Sequence, residues 1–381
     1  MPDNEQAAAY PWAPASATGV GSMPGTDPAE AMRLIVGELP ELPHLAELPA
    51  RGPGADLTGR TAALLVDLPV ELSPRGWRFA ARPGRDLRRA RDMLAADLDV
   101  LEEVTQGYQG PLKIQAAGPW TLAATIELLR SQDPALADGG AVADLTESLA
   151  EGLRLHVDQV SKRVPGARLV LQLDEPALPG VIAGGVRSAS GLRRLPAPET
   201  PDVEAKLGAV LSAGAAYPVV HCCARDVPFT LIKNAGARGI SFDLAQLRRG
   251  AEDALAEAAE AGLGILAGVV PAMPEAGNGR RAAPGDGGPA ARGAGESGPE
   301  DEAADGRLPA AADVARRVSA LWQRLGWPVP AGAGRDAVAG QVVLTPACGL
   351  AGAPPAYARR ALACCQAAAR LLPELIEEEA R

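Results

Sequence analysis

Aromatic residues make up only 3% of this 381-residue chain, and histidine occurs three times. Lys and Arg form no dense stripe; 37 bases stand against 47 acids, a net charge of -10. A nucleic-acid surface needs basic charge and stacking platforms, so no nucleic-acid partner is expected. No apolar run approaches the roughly 18 residues that read as a membrane span, so no membrane association is expected either. Residues 1–9 are polar and acidic, not basic and then apolar as a secretory signal would be. The expected location is cytoplasmic. There a set of five cysteines, an odd number, does not read as a disulfide framework.

Glycine and proline are plentiful, 43 and 35 residues, but they are unevenly spread between Ala/Leu/Val-rich segments. Residues 1–16 lack periodicity and read as a flexible tail. Short apolar runs follow at 17–22, 43–48, 112–117, 168–174, 217–221, 239–243, 264–270 and 341–346. Most are continuous rather than alternating, as strands buried on both faces are. Between them, 86–104, 141–164, 202–213, 227–235, 251–261, 311–325 and 355–372 carry helical periodicity. Eight strands alternating with helices predict a single-domain α/β fold over 17–381, a (β/α)8 TIM barrel. The Gly-rich dinucleotide fingerprint of a doubly wound sheet does not follow the first strand. Residues 49–85 form a long connection. Residues 274–309 hold no large aliphatic before Leu308 and read as a disordered, low-complexity insertion after the seventh strand.

A parallel barrel places its active site at the carboxyl ends of its strands. The fifth predicted strand ends in His221-Cys222-Cys223, the sixth in Asp243 and the eighth in Cys348. His221 and Cys223 are two residues apart and share a side; Cys222 alternates away from them. Two thiolates, an imidazole and a carboxylate suit tetrahedral zinc better than calcium or magnesium. The alternative is that these are packed core residues. Cys364 and Cys365 fall in an Ala/Leu helix and read as core.

Asp174, closing the fourth strand before Glu175-Pro176, needs a cation or donor partner. Either a barrel arginine or a substrate ammonium would serve. Glu47 is a second candidate for the ammonium. Ser22 precedes a helix start with Asp27 at N-cap, Pro28 at N1 and Glu30 at N3, where free N–H groups suit a carboxylate. An ordinary strand-to-helix turn is the competing reading. His44 within a strand reads as structural, and His156 on a helix face as solvated or packed.

These strand ends resemble the catalytic zinc barrel of the cobalamin-independent methionine synthase family, over almost the whole ordered chain. Gly21-Ser22 looks like its substrate-carboxylate turn, and Gln172-Leu173-Asp174-Glu175-Pro176 its amino-group signature. His221-Cys222-Cys223 resembles its His-x-Cys pair, and Pro346-Ala347-Cys348-Gly349 its last zinc cysteine. Glu47 followed by Leu48-Pro49-Ala50-Arg51 is similar to its second-strand segment, more loosely.

The resemblance implies a zinc-dependent methyltransferase with Zn2+ on His221, Cys223, Asp243 and Cys348. Homocysteine would then bind through Ser22, Glu47 and Asp174, and a folate or a corrinoid protein would give the methyl group. It departs from the family in three ways. Asp243 stands where the family has glutamate, Val270-Pro271-Ala272 where it has a proton-donating histidine, and the family's folate-binding N-terminal barrel has no counterpart. An epoxyalkane:coenzyme M-type thiol alkyltransferase, a metal-free decarboxylase-like barrel and a non-catalytic zinc-binding barrel remain open alternatives.

Overall fold

Period-two side-chain alternation organises the central sheet of the computed structural model, which describes residues 10–274, 306–326 and 340–379. Six parallel strands pair in chain order: β3 (Gly110–Ala117), β4 (Ala167–Asp174), β5 (Tyr217–Cys222), β6 (Gly239–Asp243), β7 (Gly264–Val270) and β8 (Val342–Pro346). One face carries Leu169, Leu171, Leu173 and Val220, which join the large helix-packed core. The other face begins at the amino ends of the strands with a smaller apolar layer of Val170, Val219, Leu266 and Val343. Further along it turns polar: Lys113, Gln115, Gln172, Asp174, His221 and Ser241 are all buried. Polar groups thus stack toward the carboxyl ends, where a parallel sheet presents its ligands.

The expected first two strands are not strands. Residues 17–22 and 43–48 contribute isolated parallel bridges: Ala17 to Leu344 of β8, Ser22 to Glu47, and His44 to Lys113 of β3. Two backbone hydrogen bonds carry each, among them Thr18 N to Leu344 O at 3.0 Å, Met23 N to Glu47 O at 2.8 Å and Leu45 N to Lys113 O at 2.9 Å. Carbonyls that would extend a ladder are taken by interior side chains. The Val20 carbonyl accepts from Lys113 Nζ (2.7 Å) and Gln172 Nε2 (2.9 Å), and that of Leu45 from Gln115 Nε2 (2.5 Å). Close packing forbids side chains there too: a Cβ on Gly19 would lie 2.2 Å from His44 Nε2. The architecture is a curled six-stranded parallel sheet of TIM-barrel-like layout, to which these two segments are bridged.

The helices follow the periodic segments closely, from Arg85–Val104 and Gly139–Arg163 to Ala311–Arg324 and Pro355–Glu379. Asp27 caps Pro28–Glu38 as expected, its carboxylate accepting from Ala29 N and Glu30 N. The connection 49–85 is more ordered than a loop. It holds a short helix, Leu57–Ala62, and an antiparallel hairpin, β1 (Val70–Ser73) and β2 (Gly76–Phe79), turned by Pro74-Arg75. Residues 10–16 of the expected tail pack beneath the sheet: Trp12 is buried, stacks edge-on to Tyr217 and donates from Nε1 to Gly340 O. Most of the expected insertion at 274–309 lies outside the described residues.

Candidate metal centre

Strand register sets the site. Asp174 of β4 pairs with His221 of β5, and His221 pairs with Ser241 of β6, so the three share one level. Cys223 follows one step beyond the end of β5, on the side of His221, while Cys222 turns to the opposite, fully buried side. Cys348 comes two residues after β8 ends at Pro346. Its position depends on Gly349, where a Cβ would fall 2.0 Å from Ser22 Oγ. Ser22 is thereby pressed against the cysteine loop, and its carbonyl accepts Leu350 N at 2.8 Å.

His221, Cys223 and Cys348 bring one ligand atom each to within 4.8 Å of one another. The two sulfurs are free thiols 3.2 Å apart, sharing one hydrogen bond. That bond, backed by His221, holds the Cys348 thiol well below its ordinary value. The same bond, together with burial, drives Cys223 upward. His221 Nδ1 pairs with Ser241 Oγ at 2.8 Å, while its Nε2 is buried with no hydrogen-bond partner among the described residues. A buried ring nitrogen left unsatisfied beside two sulfurs is costly unless something binds there. Two sulfurs and an imidazole are the donor set of zinc, and the serine on the far ring nitrogen is the partner that fixes a ligating histidine.

Of the four expected ligands the structure gathers three. Asp243, at the end of β6, is half-buried, and its Oδ1 accepts Ala245 N at 2.9 Å. Burial and the nearby Cys348 raise its pKa. It lines a cavity of about 620 Å³ in company with Cys348, without being part of the close cluster.

The three expected substrate residues surround the same level. Asp174 is buried, with Oδ1 accepting Gln172 Nε2 at 2.7 Å; burial lifts its pKa against the pull of His221 and Lys113. Glu47, bridged to Ser22, faces Arg60 Nε at 3.6 Å. Burial pushes its carboxyl up to about 7, with Arg60 opposing and Asp174 adding to the rise. Arg60 is itself tied through Nη1 to Asp97, which also takes a two-pronged pair from Arg51 at 2.7 Å.

Lys113, absent from the sequence reading, lies at the centre of this group. It is completely buried, and burial lowers its pKa to about 8 despite Asp174 and Glu47 nearby. The signal was a lysine placed two residues from Gln115 inside an apolar run, on the inward side of the strand. Glu175 goes the other way, accepting Trp120 N (2.9 Å), Thr121 N (2.7 Å) and Thr121 Oγ1 (2.7 Å) as a cap on the start of the helix Pro119–Thr125. His44 is buried with burial holding its pKa near 3; His156 is likewise buried and neutral. Cys365 is core, and Cys364 is partly buried beside it.

No protein-family model matches the chain, and no curated protein matches it in sequence. Among solved structures it is similar to a B12-independent methionine synthase from a Shewanella species in complex with selenomethionine. The alignment covers 97% of this chain and all of the other, with 13% identity and a TM-score of 0.56. At that identity the likeness is one of fold. Among the described residues no helix is long and apolar enough to cross a membrane.

Proposed function

We propose that this chain is a zinc-dependent methyltransferase that methylates the thiol of homocysteine to form methionine. In this reading the fold is a (β/α)8 barrel whose first two staves are reduced to bridges. The observation that carries it is the unpartnered His221 Nε2 beside the Cys223 and Cys348 sulfurs. The shared fold with a methionine synthase supports the reaction class.

His221, Cys223 and Cys348 would hold the metal, with Asp243 as the fourth ligand. Zinc, when bound, lowers the pKa of a thiol that joins it, so the sulfur is a thiolate at neutral pH. The chain's own residues orient that thiol. Asp174, one strand from His221, and Glu47 accept the amino-acid ammonium, and Ser22 with neighbouring N–H groups takes the carboxylate. An acid at Asp174 suits an amino-acid thiol rather than a sulfonate-bearing one. The sulfur forms a bond to the methyl carbon as the carrier departs with the old bonding pair. Alignment supplies much of the rate.

A tertiary-amine donor such as methyltetrahydrofolate must leave protonated. The end of β7 offers Val269, Val270, Pro271 and Ala272, none of which supplies a proton. Glu175, an acid close by, is committed to its helix cap. A methyl-corrinoid, whose methyl leaves without that proton, is therefore the better donor in this reading. The test is methionine formation from homocysteine by the zinc-loaded protein, with methyltetrahydrofolate and methylcobalamin in parallel. No turnover with either donor, in protein holding zinc, would reject the methyltransferase. Efficient turnover with methyltetrahydrofolate alone would reject the donor assignment.

A further inference from the structure

The cavity beside Cys348 has a polarity that the thiol-binding residues do not use. Its volume of about 620 Å³ lies within the roughly 300–1,000 Å³ range of small-molecule sites. Cys348 and Asp243 stand in its wall, and Leu244, Leu247, Val269 and Met273 supply apolar surface. Met273 is 48% exposed, a large apolar side chain left open to this space.

The remaining wall is one face of the helix Ala311–Arg324, which presents Arg317, Ala320 and Arg324 at i, i+3 and i+7. The small Ala320 keeps the space open between two guanidinium groups. Arg324 is held by Glu252 at 3.2 Å, and the neighbouring Arg316 by Asp313. Arg317 has no ion pair or hydrogen bond among the described residues. It also borders an adjoining cavity of about 480 Å³, where Arg307 stands, equally unpaired among the described residues. In a chain of net charge -10, two unpaired arginines at one opening form a local attraction for anions.

We infer that this cavity binds an amphipathic anion: a compact apolar body in the cavity, with one oxyanion on the planar guanidinium of Arg317. Arg favours such groups because its parallel N–H donors match carboxylate and phosphate oxygens. The site stands on the cavity and its arginines alone and does not rest on the methyltransferase reading.

The test is binding alone, by calorimetry on the full chain, with octanoate and octyl phosphate against octanol and octylamine. Either anion should bind at least tenfold tighter than octanol or octylamine, and the tighter of the two identifies the oxyanion. Arg317→Ala should bring that anion down to the octanol level, Arg317→Lys should recover part of the loss, and Ala320→Trp should weaken all four probes. Equal affinity of anion and alcohol for the parent protein would overturn the inference. So would unchanged anion affinity in Arg317→Ala. Zinc content, measured on the same samples, separates the two readings: Cys223→Ser, outside the cavity wall, should lose zinc yet keep the preference for the anion.

Discussion

Two polar groups of residues are buried at the same end of the sheet, and they are finished differently. In the ionic floor, Lys113 binds the Val20 carbonyl, Gln172 ties that carbonyl to Asp174, and Glu47 meets Arg60, itself anchored on Asp97. In the thiol rim, the two sulfurs lie against each other, and His221 Nε2 has no hydrogen-bond partner among the described residues. Both are expensive to bury. The floor offsets most of that cost inside the chain, leaving Arg60 Nη2 unpaired among the described residues; the rim leaves a ring nitrogen beside two sulfurs, where a ligand can offset the rest. Unsatisfied atoms alone do not mark a ligand site, since His44 Nε2 is also unpartnered. There, however, the ring packs against the bare backbone of Gly19, with no second donor beside it.

The sharpest way to break this comparison is to take a sulfur from the rim. Cys348→Ser or Cys223→Ser should drop bound zinc from about one per chain to none, measured by elemental analysis of the purified protein. Cys364→Ser, away from the cluster, should leave it unchanged. Full zinc occupancy in Cys348→Ser would place the metal elsewhere. Next in size is the floor. Lys113→Met removes the cation under two buried acids and frees the Val20 carbonyl, so it should cost about 3–5 kcal/mol in urea unfolding, the range for breaking a buried pair. A loss under about 1 kcal/mol would mean that Asp174 and Glu47 do not depend on that charge.

The rim was legible in the sequence because its residues are rare: three histidines and five cysteines leave few ways to place ligands at strand ends. The floor was legible only in part. Asp174 and Glu47 sit at the ends of expected strands, where an acid is conspicuous, but Lys113 lies mid-strand and acquires meaning only from register, which sets it opposite Val170, two same-face steps below Asp174. β6 and β7 fell at their expected residues because each is a short, mostly apolar run flanked by turn residues, with Ser241 and Asp243 the polar exceptions in β6. The segments 17–22 and 43–48 failed as strands because Lys113, Gln115 and Gln172 compete for their carbonyls, a tertiary effect that no local pattern carries. The hairpin of β1 and β2 was hidden for a different reason: its strands are four residues each, and Trp77 is the one large buried side chain of its second strand.

A smaller effect separates recognition from metal binding. Asp174→Asn keeps the size of the side chain and removes the charge proposed to meet an ammonium. It should leave zinc in place and weaken homocysteine binding by about 1–3 kcal/mol, the scale of a hydrogen bond to a charged group. Titration calorimetry on metal-loaded protein reads this directly. Loss of zinc in this variant would move Asp174 from the floor to the rim.

The finest effect is a slope. Burial holds His44 at about 3, below its ordinary 6.5, and pushes Glu47 up to about 7 from 4.5. The folded chain does not take the proton that unfolded His44 takes below pH 6.5. The stability His44 contributes is therefore present above 6.5 and lost as the pH falls toward 3. Glu47 works in the opposite sense: its contribution is full below 4.5 and is lost as the pH rises through 7. Between 4.5 and 6.5 the two offset each other, so the parent profile is flattened there. Glu47→Gln should make stability fall more steeply on acidification across that window, and His44→Asn should make it fall less steeply. Each change is bounded by one proton, about 1.4 kcal/mol per pH unit. Urea midpoints at pH 5, 6 and 7 measure both slopes. If Glu47→Gln left the slope unchanged, the glutamate would be ionised throughout, its charge fully carried by Arg60 and Lys113. The floor would then be a set of fixed ion pairs rather than one that shares protons with solvent.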